Sequence, residues 1–457
     1  MLFNSLSFIL FLVVVFVVYC TISVKWRKHF LLLASIYFYA CFEWWYVGLL
    51  LLTTVIDFWA VRMILMNWEK RKNFLILSIS MNLLVLAVFK YGSFFLNVLK
   101  GGDWTYQWAI PVGLSFYTFQ SMSYVIDVYR GKYKPDDTFG EFLLYVSFFP
   151  HMVAGPVVRY YSLMPQLKQI TFFKNINWME VFKWCVWGYF KKMVIADNLD
   201  YVVTPAFEHI EELNSWETIL AGFLFAIQVY CDFSGYSDIA TGIAKLFNVN
   251  LSINWMRPFL SKSIKEFWSR NHISVTTWFR DYLYISLGGN RVSEMRWMVN
   301  IFLTFVISGF WHGANYTFII WGAFHGIFFL IEHYFFQSKK WIKSILGNVY
   351  LLLFHSVSML AFRCESVGDL KEAYMNFFEN WNFSLEHLSN YQDKVFWYFG
   401  WMMVMFLFVK EILEEYSHFE KLQKVKDRWR DVFYVLLLAG IFVFGNFHSK
   451  PFIYFQF

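Results

Sequence analysis

The stretch from Asn300 to Gly326, NIFLTFVISGFWHGANYTFIIWGAFHG, carries no charged residue, and neither does the stretch from Met1 to Val24. A helix over the second run would exceed the ~30 Å hydrocarbon thickness of a bilayer at 1.5 Å per residue. In that medium every backbone N–H and C=O must be paired within the protein, which leaves helices or closed barrels. Continuous apolar runs, rather than alternating ones, select the helix. Further runs with little or no charge lie at 30–42, 44–61, 74–89, 104–126, 142–158, 218–231, 298–331, 349–362, 395–409 and 432–447. Several are too short to span alone, so about ten to twelve spans are expected, with re-entrant or interfacial pieces between them. The composition agrees: 58% of residues are hydrophobic, 23% aromatic and 16% charged, against about 25% charged in an ordinary soluble domain. The expected fold is an all-α, polytopic transmembrane bundle. No basic segment precedes the first run, so it does not read as a signal peptide. Without repeats, linkers or low-complexity tracts, residues 1–457 read as one domain.

Basic loops fix the expected orientation, because short loops rich in Lys and Arg stay in the cytoplasm. KWRKH (25–29), WEKRKN (68–73) and YRGKYKPDD (129–137) alternate with gaps poor in basic residues, such as GGDW (101–104). The amino terminus is therefore expected outside. Two regions depart from plain hydropathy. FFPHMVAGPVVRYY (148–161) is apolar but broken by Pro150, Gly155 and Pro156, and a helix cannot cross it unkinked. Residues 257–291 mix Lys262, Lys265, Arg270, Arg280 and Arg291 with Phe, Trp and Tyr, and read as amphipathic helices at the cytoplasmic interface.

Several chemistries lose support from missing motifs. There is no G-x-x-x-x-G-K, G-x-G-x-x-G, H-E-x-x-H or G-x-S-x-G. The five cysteines are scattered, with no C-x-x-C, so no zinc site is indicated. The net charge of +6 is modest and asks for no nucleic-acid partner.

The polar residues left inside apolar sequence are few: His151, Arg159, Asp232, Asp238, His272, His312 and His325. A lone histidine in such a helix is more often packed than catalytic. His325 follows His312 by thirteen positions, ~220° round a helix at ~100° per residue, and so reads as a structural residue on another side. His312 stands apart, flanked by Gly309 and Gly313, which admit a close backbone or ligand. Asn315 lies nearly on its face. The CDFSGYSD segment is either a capped junction or a source of a carboxylate, Asp232 or Asp238, for a basic partner or a proton. The basic group at 262–291 fits an anionic lipid face or the phosphates of a thioester donor.

At these residues the chain resembles the membrane-bound O-acyltransferases, in particular the bacterial branch that acetylates alginate and transfers D-alanine to teichoic acid. The stretches that carry the resemblance include PVGLSFYTFQSMSYVIDVYRG (111–131), FFPHMVAGPVVR (148–159), GYFKKMVIAD (188–197), YCDFSGYSDIATGIAKLFN (230–248), residues 254–291, GFWHGANYTFIIWGAFHG (309–326) and FIYFQF (452–457). The match runs nearly end to end, and DYLYISLGGNR with the terminal motif favours the alginate-acetylating side. The family's two signature histidines fall on His272 and His312. Asn271 stands where this branch usually has Trp. The resemblance implies tilted helices around a thin floor, where a cytoplasmic and an outer funnel meet at the catalytic histidine. It further implies a cytoplasmic thioester donor, either acetyl-CoA or an acyl carrier protein, with no permanently bound cofactor or metal. An extracytoplasmic partner protein would pass the acyl group to a polysaccharide, and the protein would sit in a bacterial inner membrane.

Acyl transfer from a thioester to a hydroxyl needs a base and donors to the oxyanion. His312 is the expected base, a neutral imidazole in apolar surroundings. His272, with Asn271 or Asn315, would orient the acceptor or stabilise the oxyanion. Lys262, Lys265, Arg270, Arg280 and Arg291 are the expected donor-binding group. The rival readings are D-alanyl transfer from a carrier protein, a transporter or flippase, and a non-catalytic scaffold.

Overall fold

The computed structural model describes residues 1–100, 110–153, 155–169, 175–336, 339–386, 388, 394–416, 423–448 and 450–453. The expected turn at 101–104, the start of the run at 104–126 and residues 454–457 lie outside these. Every regular element among the described residues is helical. The chain forms two compact units, one of residues 1–185 and 237–252, the other of residues 186–236 and 253–457.

The first unit contains α1 (Leu6–Thr21), α2 (Val24–Ala40), α3 (Trp44–Met66), α4 (Arg71–Phe89), α5 (Leu114–Tyr129) and α6 (Phe139–Ser147). The long amino-terminal run shortens to a helix starting at Leu6, because the Ser5 side chain accepts from the Phe8 N–H and caps it. Leu6, Leu10, Val13 and Val17 on α1 are exposed, an apolar face of the kind that lipid covers. A buried carboxylate ties three helices together. Asp57 on α3 accepts from Ser78 Oγ (2.5 Å) and Asn82 Nδ2 (2.8 Å) on α4, and from Ser121 on α5. The expected break at 148–161 is present: one helical turn, Phe149–Met152, and a helix at Tyr160–Lys168 are separated by non-helical residues 155–159.

Two helices, α7 (Trp178–Tyr189) and α9 (Ser215–Leu246), run through both residue ranges, and α8 (Asp197–Glu208) belongs to the second. The second unit also contains α10 (Ile264–Arg270), α11 (Ile273–Trp278), α12 (Glu294–His312), α13 (Tyr316–Ile331), α14 (Ile345–Arg363), α15 (Lys394–Tyr416) and α16 (Gln423–Phe444), with a further helix at Val367–Glu379. Ser263 caps α10 through the Glu266 N–H, Asn315 caps α13 through the Thr317 N–H, and Ser344 caps α14 through the Leu346 N–H. On α12, Met295, Val299, Leu303 and Ile307 recur every four residues as an exposed apolar stripe.

Among the described residues, six helices are long and apolar enough to cross a membrane: α3, α4, α9, α13 with its extension to Phe336, α14, and α15. This is fewer than the ten to twelve spans expected. Leu6–Thr21 and Asp431–Phe444 are apolar but shorter, and the segment 257–291 forms short helices, Pro258–Leu260, Ile264–Arg270 and Ile273–Trp278, the last continuing in π-helical form to Tyr284. The chain is a multi-pass helical membrane protein.

Glycine sets the fit of α12 against α13. A Cβ on Gly309 would lie 2.2 Å from the Phe318 carbonyl oxygen, and one on Gly322 would lie 2.4 Å from that of Phe305. The backbones meet there as small residues allow in membrane helix pairs. Gly309→Val is expected to cost about 1–3 kcal/mol by overpacking, read as a lower unfolding midpoint in detergent. An unchanged midpoint would contradict this packing.

Candidate functional site

A cavity of about 770 Å³ lies within the second unit, and both His272 and His312 line it. Its walls are largely aromatic, with Phe233, Trp255, Phe267, Trp268 and Trp321 among them. Lys265 and Arg280 are the charged side chains that face it, and no carboxylate lines it among the described residues.

His312 is the last residue of α12. Its ring packs on Trp311 (4.9 Å between centroids), Trp321 (5.2 Å) and Phe362 (5.3 Å). Gly313 leaves the helix beneath it, where a Cβ would strike the Phe318 ring at 2.1 Å. The small residues beside His312 therefore serve close packing by α13.

His272 sits at the amino-terminal cap of α11 with a left-handed backbone, φ 44°. That conformation is uncommon away from glycine and tends to occur at functional positions. Its Nδ1 lies 3.3 Å from Asn254 Oδ1, an acceptor that also takes the Ser274 N–H. The Nδ1 therefore carries the proton and Nε2 the lone pair. The ring stacks on Trp255 at 5.4 Å and packs on Phe233 at 4.8 Å. Burial pushes its pKa down to about 3, so His272 is neutral at physiological pH. With its N–H held by Asn254, it can accept a hydrogen bond through Nε2 without carrying charge.

The other expected site residues divide. Asn271 ends α10 and lines the cavity. Asn315 does not line it: its side chain caps α13, and its Nδ2 donates to the Glu365 carbonyl at 2.6 Å. The face-sharing expected for Asn315 and His312 assumed a continuous helix, and the chain turns at Gly313. The same turn explains His325. Read as pointing elsewhere, it lines the same cavity as His312, because α13 folds back along α12.

Within the basic group, Lys265 and Arg280 face the cavity. Lys262 and Lys265 also line a smaller hollow of about 330 Å³ beside Glu266 and Glu332. Arg270 is held by carboxylates, Glu266 and Glu415, each at 2.8 Å, and Arg280 pairs with its neighbour Asp281 at 2.8 Å. Arg291 is exposed in the turn before α12. Asp232 is an ion-pair partner: Lys192 Nζ lies 2.5 Å from it and 2.9 Å from Asp197. Two residues went unremarked in the sequence, Asn254 and His355. His355 lies within the apolar run 349–362 and answers to the same criterion that singled out His312. Asn254 becomes visible as a site residue only once it is brought beside His272.

The profile of the membrane-bound O-acyltransferase family matches residues 138–354. A probable alginate O-acetylase of Azotobacter vinelandii is 35% identical over 409 residues, covering 86% of this chain and 81% of its own length. A peptidoglycan O-acetyltransferase of Helicobacter pylori is 35% identical, covering 66% of this chain and 63% of its own length. A teichoic acid D-alanyltransferase of Streptococcus thermophilus is 28% identical, covering 50% and 59%. With two histidines facing one aromatic cavity in a helical membrane protein, and relatives matched over most of the chain, this protein belongs to the membrane-bound O-acyltransferase family and is an acyltransferase.

Proposed function

We propose that this protein moves an acetyl group from a cytoplasmic thioester donor across the membrane for O-acetylation of an extracytoplasmic polysaccharide, through a partner protein on the outer side. The observation that carries the choice of acyl group is the charge of the cavity. An acetyl group is neutral, whereas a D-alanyl group brings an ammonium. The cavity offers two cations, Lys265 and Arg280, and no carboxylate among the described residues. An ammonium there would be desolvated with no carboxylate on the lining, and Lys265 would repel it. The relatives that acetylate alginate or peptidoglycan fit this choice of acyl group, and they leave the acceptor open among envelope polysaccharides.

In the proposed mechanism the neutral His312 imidazole takes the proton of the acceptor hydroxyl. The oxygen attacks the thioester carbonyl and a tetrahedral oxyanion forms. His272, whose Nε2 carries the lone pair, accepts a hydrogen bond from the acceptor and orients it, and Asn271 beside it donates to the oxyanion. Collapse breaks the carbon–sulfur bond, and the proton passes from His312 to the departing thiolate. Aromatic walls keep water from the thioester. The donor enters from the side of segments 25–29, 68–73 and 257–280, facing the cytoplasm, which puts the amino terminus outside. Lys262, Lys265, Arg280 and Arg291 are the donor's phosphate partners. Arg270 is already committed to Glu266 and Glu415.

Two measurements test this. Purified protein given acetyl and D-alanyl thioesters of the same carrier is expected to transfer acetyl and discriminate against D-alanyl by at least about tenfold. Preference for D-alanyl would overturn the acetyl assignment. Lys265→Gln with Arg280→Gln is expected to raise the KM for acetyl-CoA several-fold at low salt. An unchanged KM would return these two charges to the lipid surface.

A further inference from the structure

Two histidines in the cavity take no part in the chemistry above. His325 on α13 is buried, and both of its ring nitrogens lack a hydrogen-bond partner among the described residues. His355 on α14 is buried too, and its Nε2 likewise lacks one. Their ring centroids lie 5.6 Å apart, and both rings line the cavity that His272 and His312 share. Their neighbours are aromatic: Trp321 at 4.6 Å, Phe354 at 4.9 Å and Trp268 at 5.2 Å from His325, and Phe267 at 3.7 Å from His355. Aromatic rings of this kind fix an imidazole without satisfying it. Buried polar atoms left without partners are disfavoured, so nitrogens lining a cavity in this state mark a place for a polar guest.

The helices show where along the cavity that place lies. His312 ends α12 beside the turn into α13, and the basic residues Arg291 and Arg296 lie at the other end of α12. α14 runs back beside α13: Phe362 packs on Trp321 at 5.2 Å near the turn, and Phe354 packs on Phe324 and Phe328, both at 5.3 Å, further along. At 1.5 Å per residue, His325 lies ~14 Å along α13 from its start at Tyr316, and His355 lies ~12 Å along α14 from its end at Arg363. The two histidines thus form one layer, about midway between the His312 end and the end of α12 that carries Arg291 and Arg296.

We propose that His325 and His355 form a hydrogen-bonding station for the amide groups of a pantetheine-type donor arm. The assignment rests on the thioester donor proposed above. Such an arm has phosphate at one end, the thioester at the other and two neutral amides between them. With phosphate at the basic mouth and the thioester at His312, an amide reaches the histidine layer. A neutral imidazole offers one N–H donor and one nitrogen acceptor, the complement of an amide's C=O and N–H. The aromatic collar admits a neutral polar group and disfavours an ion. His325 and His355 are positioning residues in this scheme, and the acyl-transfer step does not pass through them.

The test compares two acetyl donors on the purified full chain: acetyl-CoA, and the acetyl thioester of a plain alkanethiol without amides. His325→Phe and His355→Phe are each expected to raise the KM for acetyl-CoA about tenfold with kcat nearly unchanged. They should leave kcat/KM for the amide-free donor as it is. His325→Gln, which keeps a donor and an acceptor, is expected to recover most of the loss. The unfolding midpoint of the Phe variants should hold or rise, because an unpartnered polar ring gives way to an apolar one. Equal losses with both donors, or a fall in midpoint without a change in KM, would make the pair structural and overturn the proposal. No change with either donor would overturn it as well. Wild-type protein that transfers acetyl from neither thioester would overturn the donor reading itself, a result distinct from a failure of the histidine pair in an active enzyme.

Discussion

His312→Gln is expected to fold and to lose transfer by about 10²–10⁴-fold, the usual effect of removing a general base. Gln fills a similar space and keeps a hydrogen-bonding end, but it cannot take a proton near neutral pH. Trp311, Trp321 and Phe362 enclose the ring and would hold the replacement. A purely structural histidine would behave differently: its loss would cost about 0.5–1.5 kcal/mol through one hydrogen bond and leave the rate near normal. Monodispersity and thermal midpoint in detergent, measured beside acetyl transfer, separate the two. His272→Gln is expected to be less damaging, since His272 acts as a neutral hydrogen-bonding group that Gln partly replaces. A folded His312→Gln protein with near-normal transfer would remove His312 from the mechanism.

The second large effect lies away from the reacting atoms. Lys192 is buried, and its ammonium is shared by Asp197 and Asp232. The Asp232 carboxylate also accepts the Ile453 N–H at 2.8 Å. Phe452, next to that anchor, packs on Phe233 at 4.5 Å, and Phe233 packs on His272. One buried ion cluster thus fixes the end of the described chain against a site histidine. Lys192→Met would leave two buried carboxylates without their cation and is expected to destabilise by about 3–5 kcal/mol. Adding Asp197→Asn and Asp232→Asn to Lys192→Met should restore much of the midpoint, because a buried charge cluster replaced as a whole is often tolerated. A single Lys192→Met variant with wild-type stability would contradict the role of the cluster.

The helical membrane architecture was legible because lipid tolerates few backbone solutions, and uncharged runs such as 1–24 and 300–326 report the solvent directly. His312 and His272 stood out because titratable groups are rare in such sequence. Span number was less legible: hydropathy does not show where a cap such as Ser5 shortens a run or where 257–291 divides into short helices. The errors of direction at His325 and Asn315 share one cause. Angular counting holds only within a continuous helix, and the turn at Gly313 resets it, so His325 returns to the cavity of His312 and Asn315 becomes a cap. Asn254 with His272, and Lys192 with Asp232, are pairings between residues distant in the chain, which local patterns do not encode.

The most direct test of acetyl transfer by His312 from a donor on the basic side uses proteoliposomes of known orientation, with labelled acetyl-CoA on one side and the partner protein and an oligosaccharide acceptor on the other. The expected result is acetyl ester on the acceptor only when the donor faces Lys262, Lys265 and Arg280, with loss of that product in His312→Gln. Equal transfer from both sides, or undiminished transfer by a folded His312→Gln protein, would contradict it.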